Sequence, residues 1–260
     1  MIIKLRAILL FMVLSLFISV EVLASFDEVD LTCSTGSKNN KITTNSNSTS
    51  SKVNISNMVA SIKANLEFLD NFFIMATTST TVTEESDTET FTYQGDIIQQ
   101  GGVSFGEKSL EIYGGIDLFS LFNPFLGFSI TESKLKRSIN SNDSRVMIGE
   151  QTMNDYDWIV GLKGKYEFND YTSIGYLLKY KTSSSLSNVE YNQVEFDDSD
   201  VSNISSEVFL KYWLPNEMLE IGIHLVGGQY LNDENTEKDE LLPDTDIKFV
   251  GAFVSFKINL

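Results

Sequence analysis

The last fifteen residues of the chain read Asp246-Ile-Lys-Phe-Val-Gly-Ala-Phe-Val-Ser-Phe-Lys-Ile-Asn-Leu260. Every second side chain is apolar, and this face consists of Val250, Ala252, Val254, Phe256, Ile258 and Leu260. The opposite face is mostly polar, with Phe249 and Phe253 as exceptions. Successive side chains of an extended chain point to opposite sides, so this alternation predicts a strand with one apolar face.

The same alternation recurs upstream, at 110–118, 126–130, 158–168, 174–180, 208–212 and 219–225. In 157–168 it persists over roughly the 9–11 residues that a tilted transmembrane strand requires. The connections alternate in length: 120–124, 169–171 and 214–217 are short, whereas 132–154, 184–202 and 231–245 are long and polar. Short turns at one end and long loops at the other are typical of an outer-membrane β-barrel.

The N-terminal part divides into two segments of different composition. Lys4 and Arg6 precede an apolar run over 7–20, and small residues follow up to Ala24, so 1–24 is predicted to be a signal peptide. Residues 25–55 are rich in Ser, Thr, Asn and Lys and hold few large apolar side chains. We expect this segment to be flexible because it cannot bury enough apolar surface to offset its ordering entropy. The barrel is predicted to span 56–260.

The number of strands depends on 56–83, which fits either two strands joined near Asp70-Asn71 or an N-terminal helix. The favoured fold is all-β, a closed antiparallel transmembrane barrel of about ten strands. The alternative is an eight-stranded barrel from about Phe91 with an N-terminal helix or plug.

Alignment of the apolar faces predicts the strand register. It places Tyr166 opposite Ile174 and Leu162 opposite Leu178, joined by the loop Asn169-Asp170-Tyr171. It also pairs Trp213 with Met218, Lys211 with Glu220, and Glu207 with His224. The polar faces then form a charge network in the barrel interior: Lys163, Lys165, Glu167, Lys179, Lys181, Glu207, Lys211, Glu220 and His224. A barrel of 8 to 10 strands is normally filled, which favours a salt-bridged interior over an anion-selective pore lined by the four lysines.

These features resemble the small outer-membrane barrels of the OmpA/opacity type. The resemblance implies a Gram-negative outer membrane with long loops outside, and contact with outer-membrane lipid and lipopolysaccharide. It also implies that Phe256, Ile258 and Leu260 act as a C-terminal signal for the barrel-assembly machinery. The usual last residue in that family is Phe, whereas this chain ends in Leu260.

One stretch resembles a catalytic motif. Asp155-Tyr156-Asp157-Trp158 is similar to the Asp-x-Asp-Trp of omptins, outer-membrane proteases in which paired carboxylates help to activate water. The omptin pattern also needs an Asp-x-His, but the single histidine, His224, lies within Ile-Gly-Ile-His-Leu. We therefore interpret the stretch as an acidic loop end with Trp158 in an interfacial aromatic belt, and predict no catalytic residues.

Charge and composition restrict the function further. The net charge of −17 disfavours nucleic acid as a partner, and Cys33, the single cysteine, cannot form an intrachain disulfide. The acidic segments 84–89, 195–200 and 233–246 lack the spacing of an EF-hand, and no cofactor or metal is predicted. The favoured function is a non-enzymatic surface protein whose acidic loops contact host or surface ligands, in an adhesive or immune-exposed role. A narrow diffusion channel is the alternative, and an omptin-like surface protease comes after it.

Overall fold

The computed structural model describes residues 28–46, 49–68, 71–83, 86–138, 149–183, 188–191, 194–197, 201–214, 219–232, 235–237, 240–242 and 244–259. The predicted signal peptide and Leu260 lie outside this part of the chain. Its regular elements are all strands. Among these residues, no helix has the length and apolarity needed to cross a membrane.

Fifteen strands follow one another along the chain. They are β1 (Glu28–Ser46), β2 (Thr49–Phe68), β3 (Phe72–Thr83), β4 (Ser86–Tyr93), β5 (Asp96–Ile116), β6 (Asn123–Ser138), β7 (Gly149–Asn169), β8 (Thr172–Ser183), β9 (Asn188–Tyr191), β10 (Val194–Asp197), β11 (Val201–Trp213), β12 (Leu219–Asn232), β13 (Asn235–Glu237), β14 (Glu240–Leu242) and β15 (Asp244–Asn259).

The long strands form one closed antiparallel barrel. β3 and β4 both pair with β2 and β5, so they share one position and the barrel has ten positions. The barrel closes because β15 pairs with β1 as well as with β12. β9 continues the sheet along β7 beyond the end of β8, and β13–β14 is a separate hairpin. The predicted fold class and strand number are confirmed, and the eight-stranded alternative with an N-terminal helix is wrong.

The outer surface carries an apolar belt. Large apolar side chains are exposed there on neighbouring strands, including Leu126, Trp158, Ile204, Leu225 and Val250, each at least 59% exposed. Charged side chains such as Glu111, Lys181 and Glu220 are buried inside. A soluble protein has the reverse arrangement, whereas a closed barrel in a bilayer needs this one. The strands are thus transmembrane strands of an outer-membrane protein, as predicted.

The two ends of the barrel differ in their connections. The turn end is formed by the short connections around 69–71, 117–122, 170–171 and 214–218, together with the start of β1 and the end of β15. The loop end holds the connection after β1, the β4–β5 turn and the long connections after β6, β8 and β12.

The segment 25–55 is not flexible where it is described. β1 pairs with β15 from Asp30↔Asn259 to Asn45↔Asp244, and with β2 from Glu28↔Glu67 to Ser46↔Thr49. The barrel therefore begins at β1 rather than at residue 56. The C-terminal strand closes against β1, not against a strand within 56–83. The composition argument failed because backbone hydrogen bonds along both edges hold β1, and these do not depend on apolar side chains.

The prediction for 56–83 succeeds, because β2 and β3 are two strands joined around Asn71. In the β7–β8 hairpin, Tyr166 pairs with Ile174 and Leu162 with Leu178, as predicted. The turn is shorter than predicted because Asn169 itself pairs with Thr172 and the register shifts at Phe168. The Asn169 side chain accepts hydrogen bonds from the backbone N–H groups of Tyr171 and Thr172, each at 2.9 Å, which stabilises the tighter turn.

The predicted register of the β11–β12 hairpin is wrong by two residues. Lys211 lies opposite Gly222, Trp213 opposite Glu220, and Glu207 opposite Val226. A shift of two preserves which side chains face inward, so the assignment of faces remains correct. The sequence of the turn does not distinguish between two registers that place the same faces inward.

Closure by β1 can be tested with paired cysteines. In a Cys33→Ser background, Thr35→Cys and Val254→Cys are directly opposite each other and should form a disulfide on mild oxidation. Opposed residues have Cα atoms about 4.5–5.5 Å apart, within the range for a disulfide. The measurement is loss of maleimide-reactive thiols on a gel. Thr35→Cys with Val250→Cys is the control, because Val250 pairs with Asn39 instead. Equal reactivity of both pairs would contradict this closure.

The barrel lumen as candidate functional site

The lumen is filled at the loop end by an apolar layer, here called the loop-end plug. Its side chains are buried and come from seven strands: Ile42, Val53, Ile55, Val103, Phe105, Leu135, Met153, Tyr230 and Ile247. Most of them belong to parts of the strands that lie on the loop-ward side of the apolar belt. Water surrounds this part of the barrel on the outside, so an ordinary apolar core stabilises it.

A buried ion pair lies within the plug. Arg137 donates from Nε to Glu89 Oε2 at 2.7 Å and from Nη2 to Glu89 Oε1 at 3.0 Å, and both side chains are fully buried. Thr44 accepts from Arg137 and Ser51 donates to Glu89. Bidentate pairing of this kind is among the strongest polar contacts in proteins. The sequence predicts an acidic loop at 84–89, but Glu89 is buried and is not part of a solvated loop.

Below the plug lies a central cavity of about 200 Å³. Ion pairs line its wall. Lys179 and Lys181 both contact Glu111, at 2.8 and 2.6 Å, and Lys38 contacts Glu107 at 3.0 Å. The ring of His224 contacts Glu207 through Nδ1 and Ser255 through Nε2. Paired charges are what a narrow lumen with little room for water requires.

A larger vestibule of about 710 Å³ lies at the turn end. Lys211 contacts Glu220 at 2.9 Å near its floor. Lys163 contacts Asp117 at 3.3 Å, and Lys165 contacts Glu167 at 2.7 Å in a more exposed position. Four side chains line both this vestibule and the central cavity, and thus separate them: Thr32, Lys63, Leu177 and His224.

The nine residues of the predicted charge network therefore fall into separate groups. Lys211–Glu220 and Glu207–His224 are in contact although the residues are not directly opposite each other. Lys179 and Lys181 contact Glu111, which the prediction omitted although Glu111 lies on the polar face of an alternating stretch. Lys38, which contacts Glu107, and Asp30, which contacts Lys257, also face the lumen, but both lie on β1, whose polar composition does not predict a strand.

Asp155 and Asp157 face the lumen rather than a loop. Their side chains are only 2% and 3% exposed, and Asp157 Oδ2 accepts a hydrogen bond from Ser129 at 3.1 Å. Asp155 lies on the loop-ward side of Trp158 along β7. Trp158 points outward, 60% exposed, and packs edge-on against Phe128. The interpretation as an acidic loop end is thus wrong for the carboxylates.

Two of the three residues of the predicted assembly signal, Phe256 and Ile258, lie in the part of β15 that reaches the turn end. Phe256 is 46% exposed on the outer surface, and the backbone of Ile258 pairs with Leu31 on one side and Leu219 on the other. Leu260 lies outside the described residues. Within the described part of the chain, no three His, Cys, Asp or Glu side chains are grouped closely enough to hold a metal ion.

Several solved structures match the chain over most of its length. The outer membrane protease OmpT from Escherichia coli is 11% identical, with a TM-score of 0.62, over 90% of this chain and 97% of that chain. The translocator domain of the autotransporter NalP from Neisseria meningitidis is 11% identical, with a TM-score of 0.43, over 89% and 88%. A Pseudomonas aeruginosa FadL homologue is 9% identical, with a TM-score of 0.36, over 91% of each chain.

No protein-family model matches the chain, and no curated protein matches it in sequence. At 11% identity, the likeness to OmpT concerns the fold alone. The comparisons do not single out the OmpA/opacity type, so the resemblance of this chain to that type stays a prediction. The chain is an outer-membrane β-barrel of ten strand positions.

Proposed function

We propose that this protein is a closed, non-enzymatic barrel whose loop end contacts the surroundings of the cell, in an adhesive or immune-exposed role. The observation that carries the proposal is the loop-end plug. Its apolar side chains and the fully buried Arg137–Glu89 pair occupy the lumen where an open channel would need water.

The distribution of charge supports a surface role. Apart from the buried Glu89, the segments 84–96, 184–200 and 233–246 together contain 16 of the 36 acidic residues and one basic residue, Lys238. The strands that flank 184–200 and 233–246 end at the loop end, and 84–96 contains β4, which runs along the wall to that end. Concentrating like charge at one end creates a field that attracts basic partners and repels acidic ones. The partner proposed for this end of the barrel therefore presents a basic surface.

The length of the strands gives this surface a rigid support. β5 and β7 have 21 residues each, whereas about 9–11 suffice to cross a membrane. The additional residues lie mostly toward the loop end, where β1 and β2 remain paired up to Ser46↔Thr49. A sheet that continues beyond the bilayer displays its loops away from the lipid headgroups.

The channel alternative makes the opposite prediction for conductance. We expect the refolded protein to show no stable open state in planar bilayers, because the plug blocks the lumen. Heat-modifiable migration on gels verifies that the sample contains folded barrel. A reproducible open state that disappears in the double variant Lys163→Gln, Lys179→Gln would replace the proposal with a narrow anion-selective channel.

The protease alternative rests on Asp155 and Asp157. Both carboxylates lie beneath the plug, and the histidine ring contacts Glu207 and Ser255 rather than either aspartate. We expect the wild-type protein to leave a random peptide library uncleaved. Mass spectrometry of the peptides checks this. Cleavage that is lost in Asp155→Ala or Asp157→Ala would establish a surface protease.

The acidic loop end can be tested by removing charge. Asp87 and Glu190 are exposed there, and Asp87→Asn with Glu190→Gln should weaken binding of a lysine-rich peptide to proteoliposomes by a few-fold at low salt. The matched control is Glu167→Gln with Asp170→Asn, which removes two exposed charges at the turn end. Binding is measured by fluorescence anisotropy. An equal loss in both variants would argue against a specific loop-end surface.

A further inference from the structure

The structure assigns a cation-binding site to the loop-ward side of the central cavity, between Asp155 and Asp157. The ligand is a hard cation that prefers oxygen ligands, such as Ca²⁺ or Na⁺. The site is separate from the loop-end surface of the proposed function, and its test does not depend on that function.

The charges around the cavity leave Asp155 and Asp157 without a full set of counterions. Glu111 engages both nearby ammonium groups, those of Lys179 and Lys181. Elsewhere in the wall, Lys38 contacts Glu107, and His224 contacts Glu207. Lys63 lies on the far, turn-ward side, among the residues shared with the vestibule. Glu111, Asp155 and Asp157 thus share two ammonium groups, and one positive charge is missing.

Four oxygen atoms next to the cavity lack a hydrogen bond of normal geometry among the described residues, although the Tyr230 hydroxyl lies beside the Asp155 carboxylate and interacts with it. They are Oδ1 of Asp155, Oδ1 of Asp157, Oδ1 of Asn203 and the hydroxyl of Tyr230. Asp155, Asp157 and Tyr230 are each more than nine-tenths buried. Leaving such an atom unsatisfied costs about 1–3 kcal/mol. Carboxylate, amide and hydroxyl oxygens are the ligands that hard cations take.

The sheet brings these oxygens to one place. Asp155 and Asp157 are two residues apart on β7 and therefore share a face. Asn203 on β11 lies directly opposite Tyr230 on β12, and Lys181 on β8 lies on the other side of Asn203. All of these residues line the central cavity. Its volume of about 200 Å³ accommodates a cation with a few water molecules, each of which occupies roughly 30 Å³.

Two carboxylates and two neutral oxygens give a site of modest affinity, completed by water. The two cavities adjoin at Lys63 and His224. The simplest competitor is a proton shared between Asp155 and Asp157. A proton and a metal ion satisfy the same missing charge, so the experiment has to separate them.

The test uses the full-length barrel refolded in detergent and stripped with a chelator. The temperature at which the folded band is lost on gels is measured with CaCl₂, NaCl or choline chloride at matched ionic strength. We expect Ca²⁺ or Na⁺, but not choline, to raise this temperature in a saturable way. Tb³⁺ should show luminescence sensitised by the adjacent Tyr230.

Variants locate the effect. Asp155→Asn with Asp157→Asn should abolish the cation-dependent rise, whereas Glu150→Gln, an exposed loop-end acid, should preserve it. If the double variant does not fold, Tyr230→Phe tests the site instead. The cation concentration that saturates the rise in temperature should then be at least threefold higher than in wild type. Three outcomes overturn the proposal: no cation-dependent rise, a rise that survives in the aspartate variants, or a dependence on pH alone.

Discussion

Backbone pairing between β1 and β15 is the constraint on which the rest of the structure depends. Sixteen residue pairs join these strands, from Asp30↔Asn259 to Asn45↔Asp244. Without them the sheet would have two open edges at membrane depth, where unpaired N–H and C=O groups find no water. Closure also creates the lumen, so the plug, the central cavity and the vestibule all follow from it.

The lumen changes in character along the barrel axis because its surroundings change. At the level of the apolar belt, the outer side chains face lipid, and the interior holds paired charges such as Glu111 with Lys179 and Lys181. At the loop end, water lies outside, and the interior is an apolar core around Leu135, Met153 and Phe105. A closed lumen beneath an acidic rim suits a protein that acts through its surface. The Asp155–Asp157 pair is the exception, because its charge is not balanced within the wall.

Predictions from alternation were reliable about faces and less reliable about partners. The period of two assigns each side chain to the inside or the outside, so Trp158, Lys179 and His224 lie on the predicted faces. The same period does not distinguish registers that differ by two, which is why Lys211 lies opposite Gly222 rather than Glu220. Their ion pair forms nonetheless, since the long lysine side chain reaches diagonally to Glu220.

The sequence by itself determined the class of fold, the transmembrane strands and which side chains face inward or outward. Lipid requires an apolar outer surface, and the alternation of apolar and polar residues along each strand shows which face this is. Only the tertiary structure decided that Glu28–Ser46 is a strand, since its side chains are mostly polar on both faces and its neighbours supply the backbone partners. The plug likewise depends on tertiary structure. Arg137 and Glu89 are 48 residues apart, and only the closed sheet brings them together in the lumen.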